Sequence, residues 1–347
     1  MSQSFVDGAI ATPFAQVARA SATLTWRDRA GGARVRWGID RYGYLVDPGL
    51  YAVGDPDDES DVLVTANYKL TFDAVREHLA GRSLWVLVLD TQGINVWCAA
   101  GKRTFGTDEV VARIASSDLA QHVSHDRIIL PQLGAPGVDA AEVRRRSGFK
   151  VTWAPVRASD LPAFLDAGYR AEPEQRRVAF TLRDRLVLTP LEFLGGLPVT
   201  LVFLAAMVLL GGFGPGGFSW ESVGERAPLG IAAALLGLLS GAVLTPVFLP
   251  RLEWRMYAAK GFEVGLIVSL IVLMVLSFGP GFPVGYVDFA SAAALVIAGG
   301  SYFAMLFTGS TPYTSVHGAQ LEMKTWLPRQ IALAALALVL RLIAGWF

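Results

Sequence analysis

Leu84-Trp85-Val86-Leu87-Val88-Leu89, followed at once by Asp90-Thr91-Gln92-Gly93-Ile94-Asn95-Val96-Trp97-Cys98-Ala99-Ala100-Gly101-Lys102, is the stretch on which the fold turns. Six apolar residues without alternation read as a strand buried on both faces, as in a parallel sheet. The polar, glycine-bearing loop after it leads into a short helix over residues 94–102. That helix carries Cys98, the one cysteine among 347 residues. A single thiol makes no intramolecular disulfide, so Cys98 is either a small buried hydrophobe or a chemical group. Asn95 and Gly101 lie one turn either side of it, with Ile94 and Lys102 beside them. The surface around the sulfur is therefore small and flat, which suits the approach of a broad planar ligand.

Outward from this stretch, strand and helix alternate. Val62 to Ala66 is a short apolar run, and Thr71 to Leu79 has helical spacing. After the Cys98 helix, Thr107 caps a helix over Asp108 to Val123, and Arg127 to Leu130 is the next strand. Val138 to Ser147 is a helix stopped by Gly148, Val151 to Val156 a strand, and Asp160 to Ala167 a helix capped by Ser159 and stopped by Gly168. A βαβα series of this kind predicts an open, mostly parallel, Rossmann-like α/β domain that binds ligands beyond the carboxyl ends of its strands. Three loops lie there: Thr65-Ala66-Asn67 with Thr71 beyond it, Gly93 to Lys102, and Gln132-Leu133-Gly134-Ala135-Pro136-Gly137. Residues 20–60 read as a β-rich edge.

From Leu191 the composition changes. Uncharged runs from Phe193 to Trp220, Ala227 to Pro250, Val264 to Val287 and Phe289 to Gln320 each supply the roughly 20 apolar residues of a spanning helix. A fifth, Ile331 to Phe347, contains Arg341, which near a helix end is expected to snorkel to the interface. Basic residues cluster at Arg183 and Arg185, at Arg251, Arg255 and Lys260, and at Lys324 and Arg329, so the positive-inside rule puts residues 1–190 in the cytoplasm and the C-terminus outside. The chain thus reads as a multi-pass protein of the cytoplasmic (inner) membrane. Its expected parts are an N-terminal β-rich extension (1–60), a Rossmann-like domain (61–170), a linker (171–192) and an all-α transmembrane domain of five helices (193–347).

Several function classes find no support. Residues 1–20 show no basic stretch followed by an apolar one, so no secretory signal is read there. A net charge of zero and no basic stripe with interleaved aromatics argue against a nucleic-acid partner. Neither a dinucleotide G-x-G-x-x-G nor a P-loop is present. His122 and His125 read as the end of a solvated helix, and Met305, Met323 and His317 as packing or loop residues.

The octet Asn95-Val96-Trp97-Cys98-Ala99-Ala100-Gly101-Lys102 resembles the cap-helix motif of the mercury-methylating corrinoid protein (HgcA) family. The resemblance continues through Thr65-Ala66-Asn67-Tyr68-Lys69-Leu70, Phe105-Gly106-Thr107-Asp108-Glu109, Leu130 to Gly137 and Arg144-Arg145-Arg146-Ser147-Gly148-Phe149, and the five-span tail fits as well. It covers roughly residues 60–190; the loops other than the cysteine octet are shared with the corrinoid iron–sulfur protein of the acetyl-CoA pathway, which lacks the membrane tail and the cap-helix cysteine. The resemblance implies a corrinoid (cobalamin or related) bound base-off, with Cys98 as the lower axial ligand to cobalt. It implies Thr65, Asn67, Thr71, Gly93, Asn95, Val96, Trp97, Ala99, Gly101, Lys102, Gln132, Leu133, Gly134, Ala135 and Gly137 as cofactor-binding residues. The implied reaction is methyl transfer from methyl-cobalt to inorganic Hg(II), giving methylmercury. The implied partners are a ferredoxin-like protein with two 4Fe–4S clusters, as electron donor and candidate Hg(II) donor, and a methyltetrahydrofolate-linked methyl donor. Two other classes stay open: a corrinoid methyl carrier of one-carbon (acetyl-CoA pathway) metabolism, and a non-catalytic ligand-binding membrane protein.

Overall fold

In the computed structural model, which describes residues 3–278, 285–311 and 313–347, the chain divides into two compact units, Met1–Ala179 and Phe180–Phe347. Residues 279–284, within the third expected span, lie outside the described residues, as does Pro312 within the fourth. In the first unit β1 (Val6–Ala11) and β2 (Gln16–Ala20) form a hairpin, followed by α1 (Trp26–Arg36) and β3 (Gly49–Val53). The series then runs β4 (Val62–Ala66), α2 (Lys69–His78), β5 (Leu84–Leu89), α3 (Val96–Lys102), α4 (Thr107–Ser116), α5 (Leu119–His122) and β6 (Arg127–Pro131). It closes with α6 (Ala140–Ser147), β7 (Lys150–Ala154) and α7 (Leu161–Asp166).

Among the described residues these seven strands make one sheet, ordered β1-β2-β3-β5-β4-β6-β7. The β5-β4-β6-β7 portion is parallel, whereas β3 runs antiparallel to β5. The α/β domain with a mostly parallel sheet is therefore present, and residues before 60 contribute β1, β2 and β3 to that same sheet. Strand β4 has β5 on one side and β6 on the other, so chain order reverses there and a crevice opens at the carboxyl ends. Both faces are covered, which is why β4 and β5 are buried at every residue. Val62, Val64, Ala66, Leu87 and Leu89 pack toward α3, α4 and α6; Leu63, Val86, Val88 and Ile129 pack with Phe72 of α2 and Phe164 of α7.

Local expectations were modified where side-chain bonds differ from the pattern. The helix read over 108–123 is broken at Asp118, whose left-handed backbone (φ 47°) separates α4 from α5. Thr107 is the first residue of α4, not its cap; its Oγ1 accepts from Asp139 N at 2.8 Å. Ser159 falls within a 3-10 turn before α7 and makes no cap bond to it. His122 is not solvated: it is buried at the end of α5 against the Trp85 ring. The helix α1 was not anticipated. Thr25 and Asp28 form its capping box, and Asp28 then joins Lys69, Asp73 and Arg76 in a buried ionic cluster that fastens α1 to α2.

The second unit contains α8 (Leu182–Leu210), a short hairpin of β8 (Phe213–Gly214) and β9 (Gly217–Phe218), α9 (Trp220–Leu239), α10 (Thr245–Phe248), α11 (Tyr257–Phe278), α12 (Tyr286–Leu306) and α13 (Val316–Ile343). Five helical stretches among the described residues are long and apolar enough to cross a membrane, beginning at Leu182, Trp220, Tyr257, Tyr286 and His317. The first thus starts within the stretch read as linker. Small residues permit close approach: a Cβ on Gly261 would collide with Gly300 O of α12. Arg341 does not snorkel. It is fully buried, donating to Asp288 Oδ1 and Met207 O, and Asp288 also receives Arg226 at 2.8 Å. The paired carboxylate explains why the arginine stays inside.

Candidate functional site

Three loops leave the carboxyl ends of β4, β5 and β6, and Asn67 ties the first two together. Its backbone N donates to Leu89 O at 3.0 Å, extending the strand pairing by one residue. Its side-chain Oδ1 accepts from Thr91 N and Gly93 N, each at 3.0 Å, and its Nδ2 donates to Asp90 Oδ1 at 3.1 Å. Thr91 Oγ1 lies 2.9 Å from that Oδ1 and 2.7 Å from Ile94 O, and its single proton serves one of them. Gln92 and Gly93 both take left-handed backbone, at φ 57° and 71°. A side chain at position 93 would also meet Leu45, so glycine is required there twice over.

This tight turn aims α3. Asn95 caps it, accepting from Cys98 N at 3.0 Å, and the helix ends with Arg103 in the left-handed region at φ 64°. Val96, Ala99 and Ala100 are buried against the sheet, whereas Trp97, Cys98, Gly101 and Lys102 are exposed. The alternative that Cys98 is a buried small hydrophobe is thereby removed. Val96 and Ala99, read as cofactor-binding, turn into the core and position the helix. Nothing lies within 4 Å of a Cβ built on Gly101, so the surface beside the sulfur is open. Seven residues at 1.5 Å each make this ledge about 10 Å long.

The third loop, Gln132–Gly137, is a 3-10 turn packed beneath α3. A Cβ on Gly137 would stand 3.0 Å from Ala100 Cα and Ala100 O and would overlap Phe105 O; one on Gly134 would stand 2.5 Å from the Phe105 ring. Both glycines therefore serve close packing. Leu133 packs partly buried on the core, Ala135 is partly exposed, and Gln132 Oε1 accepts from Arg176 Nη1 at 2.8 Å. Thr71 is partly exposed in the first turn of α2. Thr65 is 1% exposed and its Oγ1 has no hydrogen-bond partner among the described residues. An unpaired buried hydroxyl at a crevice is a group left for a ligand or an ordered water.

The residues present fit a large planar cofactor: an exposed soft donor on an open, small-residue ledge, with an unpaired hydroxyl on the strand that forms the crevice. What sequence reasoning missed is the role of Asn67, which holds the loop with its whole side chain. It also missed the Asp28–Lys69–Asp73–Arg76 cluster below α2. Burial alone would push the Asp28 carboxyl up, but hydrogen bonds from Lys69 and Thr25 overcome this and hold it well below the usual carboxylate range. Burial likewise pulls the Lys69 ammonium down, and Asp28 and Asp73 more than reverse that.

Residues 40–165 match the family described as CdhD, the CO dehydrogenase/acetyl-CoA synthase delta subunit. That segment includes all three loops and none of the five long helices. The chain is also similar to subunits gamma of acetyl-CoA decarbonylase/synthase complexes. Identity is 34% over 123 residues with that of Methanopyrus kandleri, covering 35% of this chain and 26% of the relative. It is 33% over 128 residues with gamma 2 of Methanosarcina thermophila (36% and 27%) and 33% over 125 residues with that of Methanothermobacter thermautotrophicus (35% and 26%). The chain spans about a quarter of the length of these relatives.

Proposed function

We propose that the α/β unit binds a corrinoid base-off and that the chain is a methyl-transfer protein with the Cys98 sulfur as lower axial ligand to cobalt. The observation that carries this reading is the chain's one cysteine standing exposed on an open ledge beyond the carboxyl ends of parallel strands. A bound corrinoid supplies a metal that accepts a methyl group and gives it up. The chain's own residues do the rest. Asn67 and Gly93 set the turn, Asn95 and the buried Val96, Ala99 and Ala100 fix α3, and Cys98 would hold the metal through its sulfur, an electron-releasing donor that would favour giving the methyl group up as a carbanion equivalent, as transfer to Hg(II) requires. Trp97 and Lys102, exposed beside it, would help hold the cofactor, and Thr65, whose hydroxyl is unpaired among the described residues, would be available to it.

For the acceptor, the first reading is inorganic Hg(II), supported by the octet Asn95–Lys102 and by the five apolar helices. The second reading is methyl carriage in one-carbon metabolism. It is the one favoured by the relatives, whose names place them in acetyl-CoA decarbonylase/synthase complexes; those comparisons lend no support to mercury. In both readings the methyl group comes from a methyltetrahydrofolate-linked donor. One cysteine falls short of the four that an iron–sulfur cluster takes, so electrons are assigned to a ferredoxin-like partner with two 4Fe–4S clusters. The second unit lies across the cytoplasmic membrane, with the α/β unit on the cytoplasmic side.

The deciding experiment loads the full chain anaerobically with methylcobalamin and compares methyl transfer to Hg(II) with transfer to a carbon-metabolism acceptor. Faster transfer to Hg(II), falling steeply in Cys98→His while the corrinoid stays bound, supports the first reading. Faster transfer to the carbon acceptor supports the second. Failure of the full chain to take up any corrinoid refutes both.

A further inference from the structure

The second unit gathers unmatched positive charge in one cavity of about 340 Å³. It lies where the start of α8, the α10–α11 turn, the start of α11 and the α12–α13 loop meet, and Arg185, Arg255 and Lys260 line it with no Asp or Glu. None of these three makes an ion pair among the described residues. Elsewhere in the unit, by contrast, Arg226 and Arg341 share Asp288.

Two of the three cations are fixed in place with donors to spare. Arg185, 6% exposed, donates from Nη1 to Pro246 O at 2.8 Å and Val247 O at 3.1 Å, and from Nε to Thr181 O. Its Nη2 has no partner among the described residues and is not an enclosed atom, so it faces the cavity that Arg185 lines. Lys260 gives one of its three protons to Leu252 O. Arg255 is exposed and makes no side-chain hydrogen bond among the described residues. A cleft lined by one sign of charge focuses its field on an ion of the other, and guanidinium N–H groups match phosphate oxygens. Much of the remaining wall is aromatic: Phe180 and Tyr257 are buried, while Trp254 and Tyr313 are 59% and 64% exposed. Exposed aromatic rings at the end of spanning helices sit at headgroup level, and the basic residues assign this end to the cytoplasm.

We propose that this cavity binds the phosphate of an anionic glycerophospholipid of the cytoplasmic leaflet, its acyl chains staying in the bilayer. The inference rests on the second unit crossing the membrane and is independent of what the first unit binds. Phosphatidylcholine carries the same phosphate but cancels its charge with a cation that the arginines repel, so a net negative headgroup is selected. A soluble phosphate ester meets the same cations without chains to anchor it.

The test titrates the purified full chain in detergent with dioleoylphosphatidylglycerol, dioleoylphosphatidylcholine or glycerol 3-phosphate and counts bound molecules by native mass spectrometry. Phosphatidylglycerol is expected to bind at least about fivefold more tightly than phosphatidylcholine, the value of one charge near the surface, and to resist displacement by an equal concentration of glycerol 3-phosphate. Arg255→Gln should weaken phosphatidylglycerol about fivefold and Arg255→Lys should restore it, whereas Arg251→Gln, an exposed cation of the same turn outside the lining, should change it less than about twofold. Equal binding of the two lipids, equal losses in Arg251→Gln and Arg255→Gln, or displacement by an equal concentration of glycerol 3-phosphate overturns the proposal. Extraction of membranes with alkaline carbonate reports separately on whether the chain spans the bilayer.

Discussion

Replacing Asn67 with alanine separates a loop-holding role from a cofactor-contacting one. The substitution removes the acceptor for Thr91 N and Gly93 N, both 3.0 Å from Oδ1 and both in buried residues. Thr91 Oγ1 loses nothing, because Ile94 O stands 2.7 Å away to take its proton. Asp90 keeps the donor Gln92 N at 3.0 Å. Two buried backbone donors without acceptors cost about 1–3 kcal/mol each, so the loop loses about 2–6 kcal/mol. At about 1.4 kcal/mol per factor of ten, the amides at 91 and 93 should exchange hydrogen roughly 30- to 20,000-fold faster through local opening. Hydrogen–deuterium exchange on the full chain, free of cofactor and in detergent, reads this directly. Asn67→Asp keeps the acceptor but sets a carboxylate oxygen 3.1 Å from Asp90 Oδ1, so it recovers only part of the protection. Exchange within threefold of the native rate in cofactor-free Asn67→Ala would refute the reasoning and return Asn67 to the ligand.

Gly137→Ala forces a methyl group against Ala100 and Phe105 backbone, and thermal unfolding should show a loss of about 1–3 kcal/mol. Cys98→Ala, on an exposed face, should change stability by no more than about 0.5 kcal/mol, and iodoacetamide should alkylate Cys98 fully in the native, cofactor-free chain. Because the Asp28 carboxyl is held below its ordinary range, its contribution is complete above the unfolded value of about 3.9 and is lost as pH falls through that value toward the folded one. The Lys69 ammonium, held above its ordinary value, gives up its share only as pH rises past that value. Unfolding followed between pH 5 and 2 should therefore show falling stability, with a shallower slope in Asp28→Asn. Arg341→Met leaves Asp288 with Arg226 alone in the bundle, and thermal unfolding in detergent should register a loss of about 3–5 kcal/mol.

Continuous apolar runs made the central sheet legible: β4 and β5 fall where Val62–Ala66 and Leu84–Leu89 place them, since a strand buried on both faces has no polar position to blur its ends. The long apolar helices were legible for the same reason. Elements held by distant polar side chains were not. Helix α1 owes its place to Asp28 meeting Lys69, 41 residues away, and Arg341 stays buried because Asp288 lies opposite it, 53 residues away. Within the candidate site, the three loops fall beyond the carboxyl ends of β4, β5 and β6, where the strand pattern put them, whereas the sequence left open whether Cys98 is buried or exposed. The division of labour did not: that Asn67 is spent on the β5–α3 turn, and that Gly134 and Gly137 exist to let Phe105 and Ala100 approach, depends on three-dimensional neighbours that no local pattern carries.

The central claim is the bond between Cys98 and cobalt, and X-ray absorption at the cobalt edge tests it most directly. The full chain, loaded anaerobically with cobalamin, should show a sulfur atom bonded to cobalt, and Cys98→Ala should lose that sulfur while its absorption spectrum shows corrinoid still bound. A cobalt ligated only by nitrogen or oxygen in the unsubstituted chain, or one whose environment is the same in Cys98→Ala, would contradict the account.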